Sequence, residues 1–135
     1  MFTQVGISQL YVLDQDAALD FYVGKLGLEV RNDIDLGVMR WLTVGVPGDN
    51  REIVLLTPGG PMMDEADAER LRDLVRKGHA GGWLIFYTGD CRSAYETLRS
   101  RGVEMTQEPM EQTYGIDCAG RDPFGNHFRI TQPRA

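Results

Sequence analysis

The sequence contains little that would direct it to a membrane or to nucleic acid. No apolar run approaches the roughly 18 residues that a membrane span requires, and the 14 basic side chains are outnumbered by 20 acidic ones. The formal net charge of −6 opposes binding to phosphates and to anionic lipid head groups. We therefore expect neither a nucleic-acid partner nor a membrane partner.

Cysteine and histidine are equally scarce, with two of each. Cys91 and Cys118 lack the spacings of zinc sites and redox motifs. Residues 1–10 lack the basic flank and the apolar stretch of a signal peptide. We therefore expect two free thiols with structural roles, in the reducing environment of the cytoplasm.

The 135 residues, 42% of them hydrophobic, suffice for one domain. Asp14 and Asp90 have the character of helix N-caps, and each precedes an amphipathic stretch that a glycine ends, Gly27 or Gly102. Alternating segments predict four strands in each half. These are Val5–Val12, Leu28–Asp33, Met39–Val46 and Glu52–Thr57, then Gly82–Thr88, Val103–Thr106, Tyr114–Gly120 and His127–Thr131.

The order strand, helix, strand, strand, strand thus occurs twice. Such a repeat indicates two copies of one supersecondary unit, here an α+β fold of two βαβββ modules. We predict module one at about 1–58, module two at about 82–132, and between them a surface linker helix at about 64–77.

These features resemble the vicinal oxygen chelate (VOC) superfamily of glyoxalases, bleomycin-resistance proteins and extradiol dioxygenases. The matching segments are Tyr11–Asp14, Ala18–Tyr22, Leu26–Leu28, Asp90, Leu98, Arg101–Val103 and Asp122–Asn126. The resemblance implies a single domain over residues 1–135, in which a curled eight-stranded sheet surrounds a cleft, and it implies a homodimer.

The resemblance also indicates where metal-dependent members of that superfamily hold their ion. The corresponding positions here are Ile7, Leu55, Trp83 and Arg129. Three of these side chains offer no lone pair to a divalent cation, and the guanidinium repels one. We therefore expect no metal and no other cofactor.

Strand alternation predicts which side chains point into the cleft. On this basis Val54 and Leu56 face a helix, Leu55 faces the cleft, and Glu52 is solvated. The predicted ligand-binding residues are Gln9, Tyr11, Trp41, Trp83, Tyr87, Asp117, His127 and Arg129. Tryptophan and arginine together suit a planar ligand with an anionic or carbonyl group.

Three functions remain open. The first is metal-independent binding of a small planar organic molecule, as in the bleomycin-resistance branch. The second is a metal-independent lyase or isomerase that acts on a small carbonyl or aromatic substrate. Its candidate acid–base groups are His127, Asp117, Tyr11 and Tyr87. The third is a metal-dependent glyoxalase or dioxygenase with relocated ligands. In a purely structural alternative, Arg129 forms an ion pair with Asp117 or Glu52 or stacks on Trp83, and the tryptophans fill a collapsed cleft or a dimer contact.

Overall fold

The computed structural model describes all residues from Met1 to Ala135, and the chain forms two compact units, Met1–Gly82 and Trp83–Ala135. The first unit contains a βαβββ module followed by one further helix. Its elements are β1 (Ile7–Tyr11), α1 (Gln15–Tyr22), β2 (Glu29–Asp35), β3 (Arg40–Gly45), β4 (Glu52–Leu56) and α2 (Glu65–Lys77).

The second unit repeats the module. Its elements are β5 (Leu84–Tyr87), α3 (Cys91–Ser100), β6 (Glu104–Gln112), β7 (Gly115–Arg121) and β8 (His127–Pro133). The strand orders β1-β4-β3-β2 and β5-β8-β7-β6 correspond, and in each sheet the first pair is parallel. The predicted α+β fold of two βαβββ modules is confirmed, with the eight strands hydrogen-bonded as two four-stranded sheets.

Equivalent aspartates begin the two module helices, as predicted. The Asp14 carboxylate accepts a hydrogen bond from the Ala17 N–H, and the Asp90 carboxylate accepts one from the Ser93 N–H. Each bond satisfies a backbone donor that the first helical turn leaves unpaired. The same local chemistry therefore fixes the entry of each helix in its own unit.

The first sheet has a core face made of alternate strand residues. Leu10 of β1 pairs in register with Leu55 of β4, and both are almost completely buried. Gln9 pairs instead with Val54. The predicted orientation of β4 is therefore wrong by one residue, because the uniformly apolar run Ile53–Leu56 contains no alternation from which a face could be read.

The second sheet follows the predicted alternation. Phe128 and Ile130 pair in register with Leu84 and Phe86, and helix α3 covers this face. Contact with the helix is direct, since the Cys91 Sγ lies 3.5 Å from the Cys118 Sγ. Both thiols are free and buried, and burial, reinforced by the neighbouring Cys91, raises the pKa of Cys118 to about 12. Cys118 therefore stays protonated.

None of the three helices combines the length and the apolar character that crossing a membrane would require.

Candidate ligand-binding site

Five of the predicted site residues share one face of the second sheet, which we call the open face. Ile85 of β5 pairs with Arg129 of β8, and Tyr87 and Asp117 both pair with Thr131 of that strand. The open face comprises Trp83, Ile85, Tyr87, Asp117, His127 and Arg129. Trp83, Ile85 and Tyr87 are 59%, 55% and 78% exposed, so this face carries a large aromatic and aliphatic surface.

The other three predicted residues lie in the first unit. Gln9 and Tyr11 belong to β1 and share a face with Val54 and Leu56 of β4. Trp41 belongs to β3, where it is partly exposed and pairs with Ile34. These side chains stand apart from the first sheet's core face, so they remain predicted ligand contacts.

A buried ion pair lies at the centre of the open face. The Asp117 Oδ2 accepts hydrogen bonds from the Arg129 Nε at 2.9 Å and from the Arg129 Nη2 at 2.5 Å. The Asp117 side chain is only 1% exposed, whereas that of Arg129 is 26% exposed. Arg129 therefore forms the ion pair with Asp117 that the structural alternative predicted. This ion pair leaves one edge of the guanidinium accessible.

Two residues that the sequence analysis did not single out complete this network. The Tyr114 hydroxyl donates to the Asp117 Oδ2 at 2.9 Å, and the Gln107 Nε2 donates to the Oδ1 at 3.2 Å. Gln107 also accepts a hydrogen bond from the Arg129 Nη2 through its Oε1, at 2.8 Å. The Asp117 carboxylate thus receives charged and neutral donors, as a buried carboxylate requires.

This network controls the protonation of its members. Burial acts to raise the pKa of Asp117, but hydrogen bonds from Arg129 and Tyr114 and the positive charge of Arg129 outweigh it, so the pKa lies below its usual value. The hydrogen bond to Asp117, together with burial and the nearby negative charge, raises the pKa of Tyr114. Near neutral pH Asp117 is therefore a carboxylate and Tyr114 a neutral phenol.

A cavity of about 250 Å³ lies beside the exposed edge of Arg129. Its lining residues are Trp83, Thr106, Gln107, Ala119, His127, Phe128 and Arg129. The Trp83 and His127 rings lie 6.4 Å apart, tilted by 44°, so they provide two aromatic walls that are not stacked on each other. The volume lies just below the range of about 300–1,000 Å³ that is typical of small-molecule sites.

A smaller polar cluster occupies the first sheet. The Glu52 Oε1 accepts hydrogen bonds from the Thr43 Oγ1 at 2.6 Å and from the Asn32 Nδ2 at 3.0 Å. Glu52 was expected to be solvated because it begins its strand, but it is only partly exposed and bonded within the sheet. The prediction failed because its hydrogen-bond partners come from β2 and β3, which no pattern within β4 indicates.

The residues at the family's metal positions do not fit an ion. The strand pairing makes Val54, rather than Leu55, the counterpart of Arg129, since Gln9 pairs with Val54 as Ile85 pairs with Arg129. Val54 offers no lone pair either, and the Arg129 guanidinium is already bonded to Asp117. No three His, Cys, Asp or Glu side chains are grouped so as to hold a metal.

The lowered pKa of Asp117 predicts a specific acid sensitivity. A carboxyl whose pKa is lower in the folded state stabilises the fold above its unfolded pKa, and this stabilisation is lost as the pH falls through the folded value. We expect Asp117→Asn to be less stable than the wild type at neutral pH, with the difference shrinking below about pH 4. Melting temperatures measured from neutral to acidic pH test this, and parallel curves for the two proteins would contradict it.

Comparison with known proteins agrees with this architecture. Residues 4–130 match the sequence profile of the Glyoxalase/Bleomycin resistance protein/Dioxygenase superfamily. The crystal structure of UcmS2 is 40% identical, with a TM-score of 0.91, and the match covers 97% of this chain and 98% of that one. The uncharacterized protein YurT of Bacillus subtilis (strain 168) is 30% identical over 129 residues, which cover 96% of this chain and 98% of YurT.

One further similar structure is that of a protein named for what it binds. TnmS3, an antibiotic binding protein from Streptomyces sp. CB03234, is 28% identical with a TM-score of 0.79, and the match covers 98% of each chain. The strand order, the paired helix caps and the family match over nearly the whole chain agree with one another. The chain belongs to the glyoxalase/bleomycin resistance protein/dioxygenase superfamily.

Proposed function

We propose that this protein binds a small planar organic molecule, such as a planar antibiotic, in the cavity on the open face of its second sheet. The observation that carries the proposal is the combination of aromatic walls with a positioned arginine in one cavity. The likeness to TnmS3, an antibiotic binding protein, supports it, and so does membership of a superfamily that includes bleomycin-resistance proteins.

Trp83 is the main apolar contact in this proposal. It is 59% exposed although it is large and aromatic, and it lines the cavity together with His127. A flat ligand stacked on the indole would remove apolar surface from water at little entropic cost, since the side chain has only two rotatable bonds. Trp83 directly precedes β5, whose Ile85 and Tyr87 are also exposed on the open face, and an exposed apolar patch of this kind is typical of a binding surface.

Arg129 orients the ligand. Its Nε and Nη2 are used by Asp117 and Gln107, while its Nη1 donates to no protein atom. Because the ion pair holds the guanidinium plane in place, the Nη1 N–H groups are oriented in advance of binding. Such preorganisation lowers the entropy lost when a ligand acceptor binds.

The acid–base alternative has weaker support. The Asp117 carboxylate is surrounded by donors from three side chains, and its lowered pKa makes it a weak base. The His127 side chain lines the cavity but makes no hydrogen bond that would orient its ring. A catalytic base normally has such an orienting partner, so we favour binding without chemistry.

Mutations in the cavity test the proposal. We expect Trp83→Ala and Arg129→Lys each to weaken the binding of a planar ligand about ten- to a hundredfold, corresponding to roughly 1.5–3 kcal/mol for a charge-assisted bond or a stacking contact. Lysine keeps the positive charge beside Asp117 but loses the Nη1 donors. Affinities would be measured by calorimetry, with ligands taken from a screen of planar antibiotics and naphthalene derivatives.

Leu74→Ala is the control, because Leu74 is an exposed apolar residue of helix α2, 42% exposed, that does not line the cavity. Its affinity should equal that of the wild type. Unchanged affinity in both cavity variants, with a lowered melting temperature instead, would show that Trp83 and Arg129 have only structural roles.

A further inference from the structure

We propose that the cavity beside Arg129 selects an uncharged ligand that offers a carbonyl or a similar neutral acceptor, and that it discriminates against carboxylates of the same shape. This inference rests on the proposed function and specifies the class of ligand. Its basis is the position of Asp117, which compensates the charge of the arginine that faces the cavity.

The charges at the cavity sum to zero when the histidine is neutral. Arg129 contributes one positive charge, and Asp117, bonded to it through Oδ2, contributes one negative charge. Because the Asp117 side chain is 1% exposed, water screens its charge poorly. The remaining lining residues carry no formal charge, apart from His127 when it is protonated.

A ligand carboxylate at Nη1 would therefore meet opposing fields. The guanidinium attracts it, but the Asp117 carboxylate bonded to the same guanidinium repels it, and the low dielectric of the half-buried site strengthens both effects. Little net attraction remains to offset the dehydration of the ligand's charge, which is large for a carboxylate. A neutral carbonyl accepts the same hydrogen bond and loses far less hydration.

Of the polar groups that line the cavity, the two that hydrogen bonds hold in place, Gln107 and Arg129, favour an acceptor on the ligand, whereas the Thr106 hydroxyl and the His127 ring can donate or accept. Gln107 uses its Oε1 for Arg129 and its Nε2 for Asp117, so both ends of its amide are engaged. The Arg129 Nη1, by contrast, has donors without a protein acceptor. Arg121, the other arginine on this side of the sheet, donates to the Gly125 carbonyl and does not line the cavity.

Two compounds of nearly equal shape test the inference: naphthamide, which is neutral, and naphthoate, which is a carboxylate. At about pH 8, where histidine is largely neutral, we expect the wild type to bind naphthamide at least tenfold more tightly. Asp117→Asn removes the compensating charge while keeping the shape of the side chain. Any loosening of Arg129 affects both compounds, so we expect the ratio of the naphthoate affinity to the naphthamide affinity to rise at least tenfold.

Glu108→Gln is the control for a general change of charge, because Glu108 is an exposed carboxylate of β6 outside the cavity. Glu108→Gln should keep the wild-type preference for naphthamide over naphthoate. Circular dichroism and melting curves establish that each variant is folded, and the comparison of the two compounds on the wild type is decisive even if Asp117→Asn does not fold.

The outcomes separate the two proposals. If the wild type binds naphthoate as tightly as naphthamide, the inference is overturned while the proposed function stands. If Asp117→Asn folds and keeps the wild-type preference, compensation by Asp117 is refuted. If neither compound binds at millimolar concentration, the proposed cavity does not bind planar molecules, and both proposals fail.

Discussion

Arg129→Met is expected to lower the free energy of unfolding by about 3–5 kcal/mol at neutral pH, the loss typical of removing one partner from a buried ion pair. The Asp117 side chain is only 1% exposed, so its charge would stay buried. Its remaining hydrogen-bond donors, Tyr114 and Gln107, are neutral. Methionine fills a similar volume, so lost packing contributes little. Chemical denaturation of the purified variant measures the change.

The pH dependence of this variant distinguishes a lost ion pair from a general loss of packing. Burial, the largest influence on the pKa of Asp117, acts to raise it and is now outweighed chiefly by Arg129. Without the guanidinium, burial is the largest remaining influence, so we expect the pKa of Asp117 to rise above its value in the unfolded chain. A carboxyl whose pKa is higher in the folded state stabilises the fold below its unfolded pKa, and this contribution is lost as the pH increases through the folded value.

We therefore expect Arg129→Met to become relatively more stable as the pH falls from neutral towards about 4, opposite to the Asp117-dependent trend in the wild type. The double variant Arg129→Met/Asp117→Asn should recover part of the stability and lose this pH dependence. A loss below about 1 kcal/mol, the value of exposed ion pairs, would contradict the assignment of this pair as buried.

The fold was predictable because its signals are local and occur twice. Asp14 and Asp90 act as caps through bonds to residues three positions ahead, and a sequence pattern can register such short-range chemistry. Helix α1 was nonetheless predicted to continue to Gly27, whereas it ends at Tyr22. The intervening residues form a turn that Gly27 closes with φ of 81°, so the helix end was misplaced although its stop signal was correct.

The extent of β6 was also underestimated, and this concealed one site residue. The strand was predicted to end at Thr106 but runs to Gln112 and contains Pro109. Proline normally argues against a strand, yet it is tolerated in an edge strand, which has no neighbour on one side; β6 is such an edge. Gln107, which bonds both Asp117 and Arg129, lies in the part that was missed.

The site was predictable only where alternation is clear. Phe128 and Ile130 alternate with His127 and Arg129, and the structure places the two pairs on opposite faces as predicted. The bond between Tyr114 and Asp117 depends on the turn that joins β6 and β7 and on an irregular register between Gln107 and Met110. No single-strand pattern contains that information. The homodimer and the cytoplasmic location stay predictions, because neither is a property of one folded chain.

Gly115→Ala is expected to destabilise the second unit by roughly 2–6 kcal/mol, the sum of backbone strain and overpacking. Gly115 has φ of 144°, and a Cβ there would lie 2.1 Å from the Gln132 carbonyl oxygen. Neither atom can yield easily, because Gly115 pairs in register with Pro133 at the end of β8. The strands would have to separate at this point.

Variants at two other glycines separate the contribution of backbone strain from that of overpacking. Gly37 has φ of 83° but open space around its Cβ position, and Gly89 has open space without a positive φ. We expect Gly89→Ala to change the free energy of unfolding by less than about 0.5 kcal/mol and Gly37→Ala to lose about 1 kcal/mol through strain alone. A loss in Gly115→Ala no larger than in Gly37→Ala would show that the close approach to Gln132 is relieved without harm.

Binding should respond to Gly115→Ala as well as stability, because Gly115 directly follows Tyr114. The Tyr114 carbonyl accepts a hydrogen bond from the Arg134 N–H at 3.0 Å, and its hydroxyl bonds Asp117. Separating β7 from the end of β8 would displace this turn, remove one donor from Asp117 and loosen the guanidinium that Asp117 holds. Where the variant is still folded, its affinity for a planar ligand should therefore fall, whereas Gly37→Ala and Gly89→Ala should bind as the wild type does.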